Sequence, residues 1–206
     1  MERTVFVVDD DGMVREALLR LLASAGHQAR GFSSADEFLR ERLPCAPCCL
    51  ILDMKMPGSD GFEVVRRLER RGDAIPVIFI SGYGTIPVTV QAMKAGAHEF
   101  LTKPIHGERL LEAVEEALHI AGRELAARTE QAASTLRLET LTPREREVLE
   151  LAIGGLLNKQ IATELGISEI TVKVHKRRVM DKMQTKTLAD LVRAAERLQI
   201  SSARHR

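Results

Sequence analysis

No apolar run in these 206 residues approaches the roughly 20 residues that a membrane-crossing helix needs. No leader is visible either, because Met1-Glu2-Arg3-Thr4 runs straight into a strand-like segment. The expectation is a cytoplasmic chain without a membrane partner. Cysteine is scarce: all three fall in Cys45-Ala46-Pro47-Cys48-Cys49. A Cys-x-x-Cys pair can be half of a zinc site, but the second ligand cluster is missing. A redox pair belongs at a helix N-terminus after a strand, whereas this one precedes a strand. Free cysteines packing as small hydrophobes in a reducing compartment remain. There is no overall charge excess, with 30 Lys and Arg against 29 Asp and Glu. That balance hides an asymmetry. Residues 141–206 carry 13 Lys and Arg against 8 Asp and Glu, a net of +5, and residues 1–140 carry 17 against 21, a net of −4. The length allows two small domains, and the charge suggests that they meet different partners.

The first part alternates apolar runs with helical patterns. Val5-Phe6-Val7-Val8 ends in Asp9-Asp10-Asp11, and Val14, Leu18, Leu21, Leu22 and Ala25 then recur at helical spacing up to Gly26. Ser34-Ala35-Asp36-Glu37 has the pattern of a capping box. Leu50-Ile51-Leu52-Asp53 is a strand ending on a carboxylate before a Pro57-Gly58 turn, and Asp60-Gly61 opens a helix through Val64, Val65 and Leu68. Val77-Ile78-Phe79-Ile80 ends at Ser81-Gly82, Pro87 suits a helix start, and Glu99-Phe100-Leu101 ends at Thr102-Lys103-Pro104. Strand and helix alternate five times in this reading, and the four apolar runs are too continuous to face water, which implies an α/β, doubly wound parallel sheet of five strands with helices on both faces. Right-handed crossovers gather the strand C-termini on one edge, where ligands of such sheets bind.

That edge would hold Asp9, Asp10, Asp53, Ser81 and Lys103. Taken singly, Asp11 reads as a helix cap, Ser81 as a turn residue and Lys103 as a solvated lysine. As a set they suit phosphoryl transfer: clustered carboxylates repel without a cation, and hard oxygens suit Mg²⁺. A hydroxyl and an ammonium can then take up charge on the transferring group. With these motifs residues 4–120 resemble a receiver domain of the two-component response regulators. The resemblance makes Asp53 the phosphoacceptor and Asp9 and Asp10 the Mg²⁺ (or Mn²⁺) ligands, joined by Asp53 and the backbone carbonyl of Lys55. It gives Ser81 and Lys103 contact with the phosphoryl group, makes Ser81 and Phe100 the switch pair, and implies a Lys103-Pro104 bond that is often cis. A dehalogenase-type phosphatase would also use an aspartyl phosphate, but needs an acid two residues on, where Lys55 stands. The chain is therefore expected not to be an enzyme.

No proline occurs between Pro104 and Pro143, and Leu111, Val114, Leu118, Ala121 and Leu125 keep a three-four spacing that weakens beyond Arg128. A long helix reaching about residue 137 is expected, with a mobile linker as the alternative. Thr142-Pro143-Arg144-Glu145 is a strong helix start. Val148, Leu149 and Ala152 would face inward, and Gly154-Gly155 would end that helix. Asn158 is expected to cap a short helix over 159–165 closed by Gly166, and Ser168 the next helix, which runs through Met183: a helix-turn-helix outline. In that second helix Val172, His175, Val179 and Met183 share the inner side, while Lys173, Val174 and Arg177 lie outside with Lys176 and Arg178 flanking. A basic stripe at the front of such a helix fits a major groove.

Leu141-Thr142-Pro143-Arg144-Glu145-Arg146-Glu147-Val148-Leu149, Asn158-Lys159-Gln160-Ile161-Ala162 and Thr171-Val172-Lys173-Val174-His175 resemble the LuxR-type output domain. Receiver plus this domain resembles the NarL/FixJ subfamily, FixJ-like members most. By that analogy Lys173, Val174 and Arg177 face bases, while Lys159, Thr171, His175 and Arg178 lie nearer phosphates. Many relatives carry Asn-Ile where this chain has Arg178-Val179, which leaves the contact of Arg178 open. Leu188, Leu191, Ala195 and Leu198 form a last stripe that in the family supports dimerisation. The expected organisation is a receiver over 1–120, a helical linker over 121–140 and a DNA-binding domain over 141–206. The expected function is transcription control: a sensor histidine kinase phosphorylates Asp53, the chain forms a homodimer near its fourth helix and fifth strand, and the dimer binds double-stranded DNA and recruits or excludes RNA polymerase. The alternative is a signalling adaptor whose last domain binds protein.

Overall fold

The computed structural model describes residues 3–82 and 86–201, so the expected outer domain limits at 1 and 206 lie outside the described residues. The chain divides into two compact units, Met1–Ala126 and Ala127–Arg206. No helix among the described residues is long and apolar enough to cross a membrane.

The first unit is a parallel sheet of five strands: β1 (Thr4–Val8), β2 (Gln28–Phe32), β3 (Cys48–Asp53), β4 (Val77–Ser81) and β5 (Glu99–Thr102). Their order is β2-β1-β3-β4-β5. Between and after them run α1 (Gly12–Ser24), α2 (Ala35–Leu39), α3 (Gly61–Arg71), α4 (Ile86–Lys94) and α5 (Gly107–Glu139), whose residues from Ala127 on belong to the second unit. The continuous apolar runs have a simple cause. Successive side chains of a strand point to opposite faces, and both faces are covered. Phe6, Val8, Leu50, Leu52 and Phe79 pack with Phe38, Val64 and Leu68 on one side. Val5, Val7, Ile51, Ile78 and Ile80 pack with Leu18, Leu22, Leu110 and Val114 on the other. The α/β doubly wound sheet is as expected.

Several local expectations need correction. Cys48 and Cys49 do not precede the strand but begin it, both buried, and burial pushes the Cys48 thiol up to about 11 and Cys49 further in the same direction. Thiols held protonated in this way are poor nucleophiles and metal ligands. The Ser34 box is half formed: Ser34 Oγ accepts from Glu37 N, but the Glu37 carboxylate accepts from Ser33 N rather than Ser34 N. After β3 a small antiparallel ribbon, Lys55–Met56 against Ser59–Asp60, precedes Asp60 as the cap of α3. Gly61 lets the chain pass closely there, since a Cβ would lie 3.0 Å from the Phe79 ring and 3.3 Å from the Asp53 carbonyl and would force these neighbours to shift. The stretch beyond the receiver pattern is helical, as α5 runs unbroken to Glu139.

The second unit holds α6 (Pro143–Ile153), α7 (Asn158–Leu165), α8 (Glu169–Lys182) and α9 (Leu188–Arg197). Thr142 and Glu145 form the full capping box of α6. Asn158 does not cap α7 but occupies its first turn; the cap position is Leu157, whose N–H donates to Gln160 Oε1 at 2.8 Å. Gly166 ends α7 in the left-handed region at φ 65°, where a side chain would be strained. Val148, Leu151, Ala152, Ile161 and Val172 form one core cluster, and Leu149, Val179, Met183 and Leu191 another. The stripe on α9 is therefore largely spent inside the unit. Leu191 and Ala195 are buried, Leu198 packs against the second cluster, and Leu188 alone of the four is well exposed. An amphipathic stripe has one inner face, and here the unit's own core takes it.

One polar lock joins the start of α6 to the end of α8. Glu145, 3% exposed, accepts from Lys182 Nζ at 2.6 Å and from Thr142 N at 2.9 Å. Lys182 also donates to the Thr140 carbonyl. Burial opposes ionisation of Glu145, but the bonds from Lys182 and Thr142 outweigh it and hold the carboxyl below its ordinary value of 4.5. A depressed folded value means stability that is present above the unfolded pKa and lost as pH falls through the folded one. Glu145→Ala should cost about 1.5–3 kcal/mol at neutral pH, the range for a lost charge-assisted hydrogen bond. Urea titrations should show this cost shrinking as pH falls below the ordinary value of 4.5 and through the lower folded one, where the wild-type carboxyl is protonated. A cost independent of pH would remove the charge from the explanation.

Candidate functional site

The register of the sheet assembles the site. Val8 pairs with Leu52 and Ser81 with Thr102, so β1, β3, β4 and β5 end at nearly the same level. The ladder continues one residue past the strand ends, with Asp9 N donating to Phe32 O, Met54 N to Ile80 O and Lys103 N to Ser81 O. This ties Asp9 and Lys103 themselves, and the residue after Asp53, to the backbone of the next strand over. The Lys103-Pro104 bond is cis, the isomer that the receiver resemblance led one to expect.

Asp9 is 0% exposed and Asp53 7%, and Ser81 is also buried. Lys103 Nζ lies 2.9 Å from Asp9 Oδ2 and 2.6 Å from Asp53 Oδ2. The other Asp53 oxygen accepts from Lys55 N at 3.1 Å, and Asp9 Oδ1 accepts from Asp11 N at 2.9 Å. Asp10 is exposed at the rim. One carboxylate oxygen from each of Asp9, Asp10 and Asp53 lies within 4.8 Å of the others, a set of hard donors that could hold a divalent metal ion. Burial raises the pKa of Asp9, with Lys103 and the Asp11 N–H pulling the other way. Burial alone would lower that of Lys103, but the bonds it donates to Asp53 and Asp9 more than reverse it, so the ammonium stays charged. Phe100, on β5, pairs with Phe79 and is buried on the same face of the sheet.

Sequence reasoning missed one brace of this site. Arg15 on α1 donates to the Asp9 carbonyl at 2.6 Å, from the turn that Asp11 caps. The signal was present in the spacing, since Asp11 as cap puts Arg15 one turn into the helix. Removing Lys103 leaves two buried carboxylates facing each other. Lys103→Ala should lower the stability of the metal-free protein by about 2–4 kcal/mol in denaturant titrations, and adding Asp53→Asn should restore part of that loss. Additive effects of the two changes would show that the charges do not interact.

The second unit presents α8 as its exposed helix. Val172 and Val179 are buried and His175 half-buried, with a buried Nδ1 that makes no hydrogen bond. Lys173, Val174, Arg177 and Arg178 are exposed and Lys176 half-buried, and Lys159 is exposed in the first turn of α7. The hydroxyl of Thr171 is 2.8 Å from that of Ser168, the cap of α8. A depression of about 490 Å³ runs beside the helix, lined by Lys173, Lys176 and Arg177 and by five residues that the sequence reading left out of the interface, Asn158, Met180, Asp181, Thr185 and Lys186. Asn158 had been read as a cap, and Lys186 lies in the turn after α8, where helical spacing gives no guidance.

Residues 5–115 match the family described as response regulator receiver domain, and residues 139–195 match bacterial regulatory proteins, luxR family. The chain is 46% identical over 200 residues to the response regulator protein TmoT of Ectopseudomonas mendocina, covering 97% of this chain and 91% of that one. It is 40% identical over 195 residues to the transcriptional regulatory protein FixJ of Bradyrhizobium diazoefficiens, covering 94% of each. The solved structure of the response regulator StyR matches it with a TM-score of 0.85 at 48% identity, over 95% of this chain and 99% of that one. The family is one of regulators and is not known for enzymes. The chain belongs to the response regulators of two-component systems of the NarL/FixJ type, built from a receiver domain and a LuxR-type helix-turn-helix DNA-binding domain.

Proposed function

We propose that Asp53 is the phosphoacceptor of a switch that controls DNA binding by α8. The observation that carries this reading is the Lys103 ammonium shared between the buried carboxylates of Asp9 and Asp53, with the buried Ser81, whose carbonyl accepts from Lys103 N, at the end of β4. The donor is the phosphohistidine of a sensor kinase. An Asp53 carboxylate oxygen forms the new P–O bond while the P–N bond of the donor breaks, and the leaving imidazole takes up a proton. Lys103 and Ser81 meet the transferred group, exchanging a carboxylate contact for phosphoryl oxygens. Asp9, Asp10, Asp53 and the Lys55 carbonyl would hold Mg²⁺ or Mn²⁺, which when bound offsets charge on those oxygens. Ser81 and Phe100 then rearrange, shifting a two-state equilibrium toward a homodimer formed near α4 and β5.

In this reading residues 1–120 are the input domain, 121–140 a helical linker and 141–206 the output domain of a cytoplasmic regulator. Lys173, Val174 and Arg177 face base edges with Lys176 flanking, while Lys159, Thr171, His175 and Arg178 lie nearer the phosphates. The bound dimer recruits or excludes RNA polymerase. Supporting this division, the side chains of Lys173 and Arg177 point away from the buried Val172 and Val179.

Two outcomes test the reading. With Mg²⁺ and a small phosphodonor, intact-mass measurement should find one phosphoryl adduct on the wild type and none on Asp53→Asn; an adduct persisting on the variant would reassign the acceptor. Lys173→Ala with Arg177→Ala should weaken binding of the phosphorylated protein to a selected duplex by about 2–5 kcal/mol and flatten its salt dependence. An output domain that binds protein and no DNA at any salt concentration would favour the adaptor.

A further inference from the structure

The outer face of α8 contains more than charge. Ile170, in the first turn, is 75% exposed, and Val174, one turn on, is 45% exposed. Arg177 follows three residues later, with a side chain 86% exposed. These three positions, spaced four and three apart, share one stripe of the helix, with Lys173 beside it. The buried Val172 and Val179 lie on the opposite side. Ile170 belongs to no core cluster of its unit. A β-branched residue in the first turn of a helix and standing in water gains nothing for the fold.

We infer that Ile170 is a specificity-determining residue of the DNA interface, and that with Val174 it recognises the C5-methyl groups of thymines in the half-site. This rests on the DNA-binding reading of α8 and adds what the stripe reads. The N-terminal residues of a recognition helix are the ones that reach base edges. In the major groove the thymine methyl is the apolar feature of the code, while guanine offers acceptors to Lys and Arg. Arg177 on the stripe and Lys173 beside it give this apolar pair a polyanionic occupant, which a hydrophobic protein partner would not be. The half-site therefore combines guanine, read by Lys173 and Arg177, with thymine, read by Ile170 and Val174. Ile170 was hidden in the sequence because that face was read for its charges.

The test uses the full chain treated with Mg²⁺ and a small phosphodonor. Binding sites are selected from randomised duplexes, and each thymine of the selected site is then replaced singly by deoxyuridine, which removes only the methyl. At one thymine per half-site the wild type should bind about fourfold more weakly to the deoxyuridine duplex, the weight of one buried methyl. Ile170→Ala should bind the thymine duplex more weakly and show no deoxyuridine penalty at that position, and Ile170→Val should retain part of it. Circular dichroism checks that each variant is folded. Equal deoxyuridine penalties in wild type and Ile170→Ala at every position would overturn the inference while leaving DNA binding intact. So would an Ile170→Ala variant with unchanged binding and impaired transcription in vitro, which would make Ile170 a contact for polymerase. A wild type that selects no sequence would overturn the DNA reading and this inference with it.

Discussion

Two carboxylates on neighbouring strands, both nearly out of water, repel each other unless a cation stands between them. In the first unit that cation is Lys103, in reach of Asp9 and Asp53 together. The arrangement requires β5 to end level with β1 and β3, although Lys103 follows Asp9 by 94 residues. Buried ion pairs contribute little net stability, because desolvation consumes most of the Coulomb gain. The apolar strands on either face supply the stability, and the site uses some of it to keep charges close and poised. The same sheet geometry that forces the repulsion makes the lysine's position useful, since an incoming anion meets an ammonium already oriented.

The first unit was largely legible because its signals are redundant. Each apolar run is continuous, which only a doubly covered sheet explains, and four of the runs end in polar residues that belong on one edge. The ribbon at Lys55–Met56 and Ser59–Asp60 was not legible. Four residues in two bonded pairs are too few to create a period, and the turn residues Pro57 and Gly58 fit many loops equally well. The Ser34 box failed in detail because Ser33 offers Glu37 both a backbone N–H and a hydroxyl.

In the second unit the errors have one source: spacing reveals that a face is apolar or charged, but not what it meets. The stripe on α9 reads the same whether it covers the unit's own core or a second chain, and Leu191 and Ala195 turn out to cover the core. Asn158 looked like a cap because asparagine favours that position, yet Gln160 satisfies the free N–H of Leu157 and moves the start by one residue. The Glu145–Lys182 lock lay beyond reach for a similar reason. Glu145 was recognised as part of a cap, and nothing local indicates that its second partner sits at the far end of α8.

The inner and outer faces of α8 are answerable to different constraints. Val172 and Val179 are fixed by the packing around them, so most changes there would unfold the unit. Ile170, Val174 and Arg177 touch little of their own chain, and replacement at such exposed positions is nearly neutral for folding. Over evolutionary time one helix can therefore keep its architecture while its vocabulary drifts. If the stripe is the DNA-reading surface proposed above, a few substitutions on it would change the sequences bound with no compensating change in the first unit.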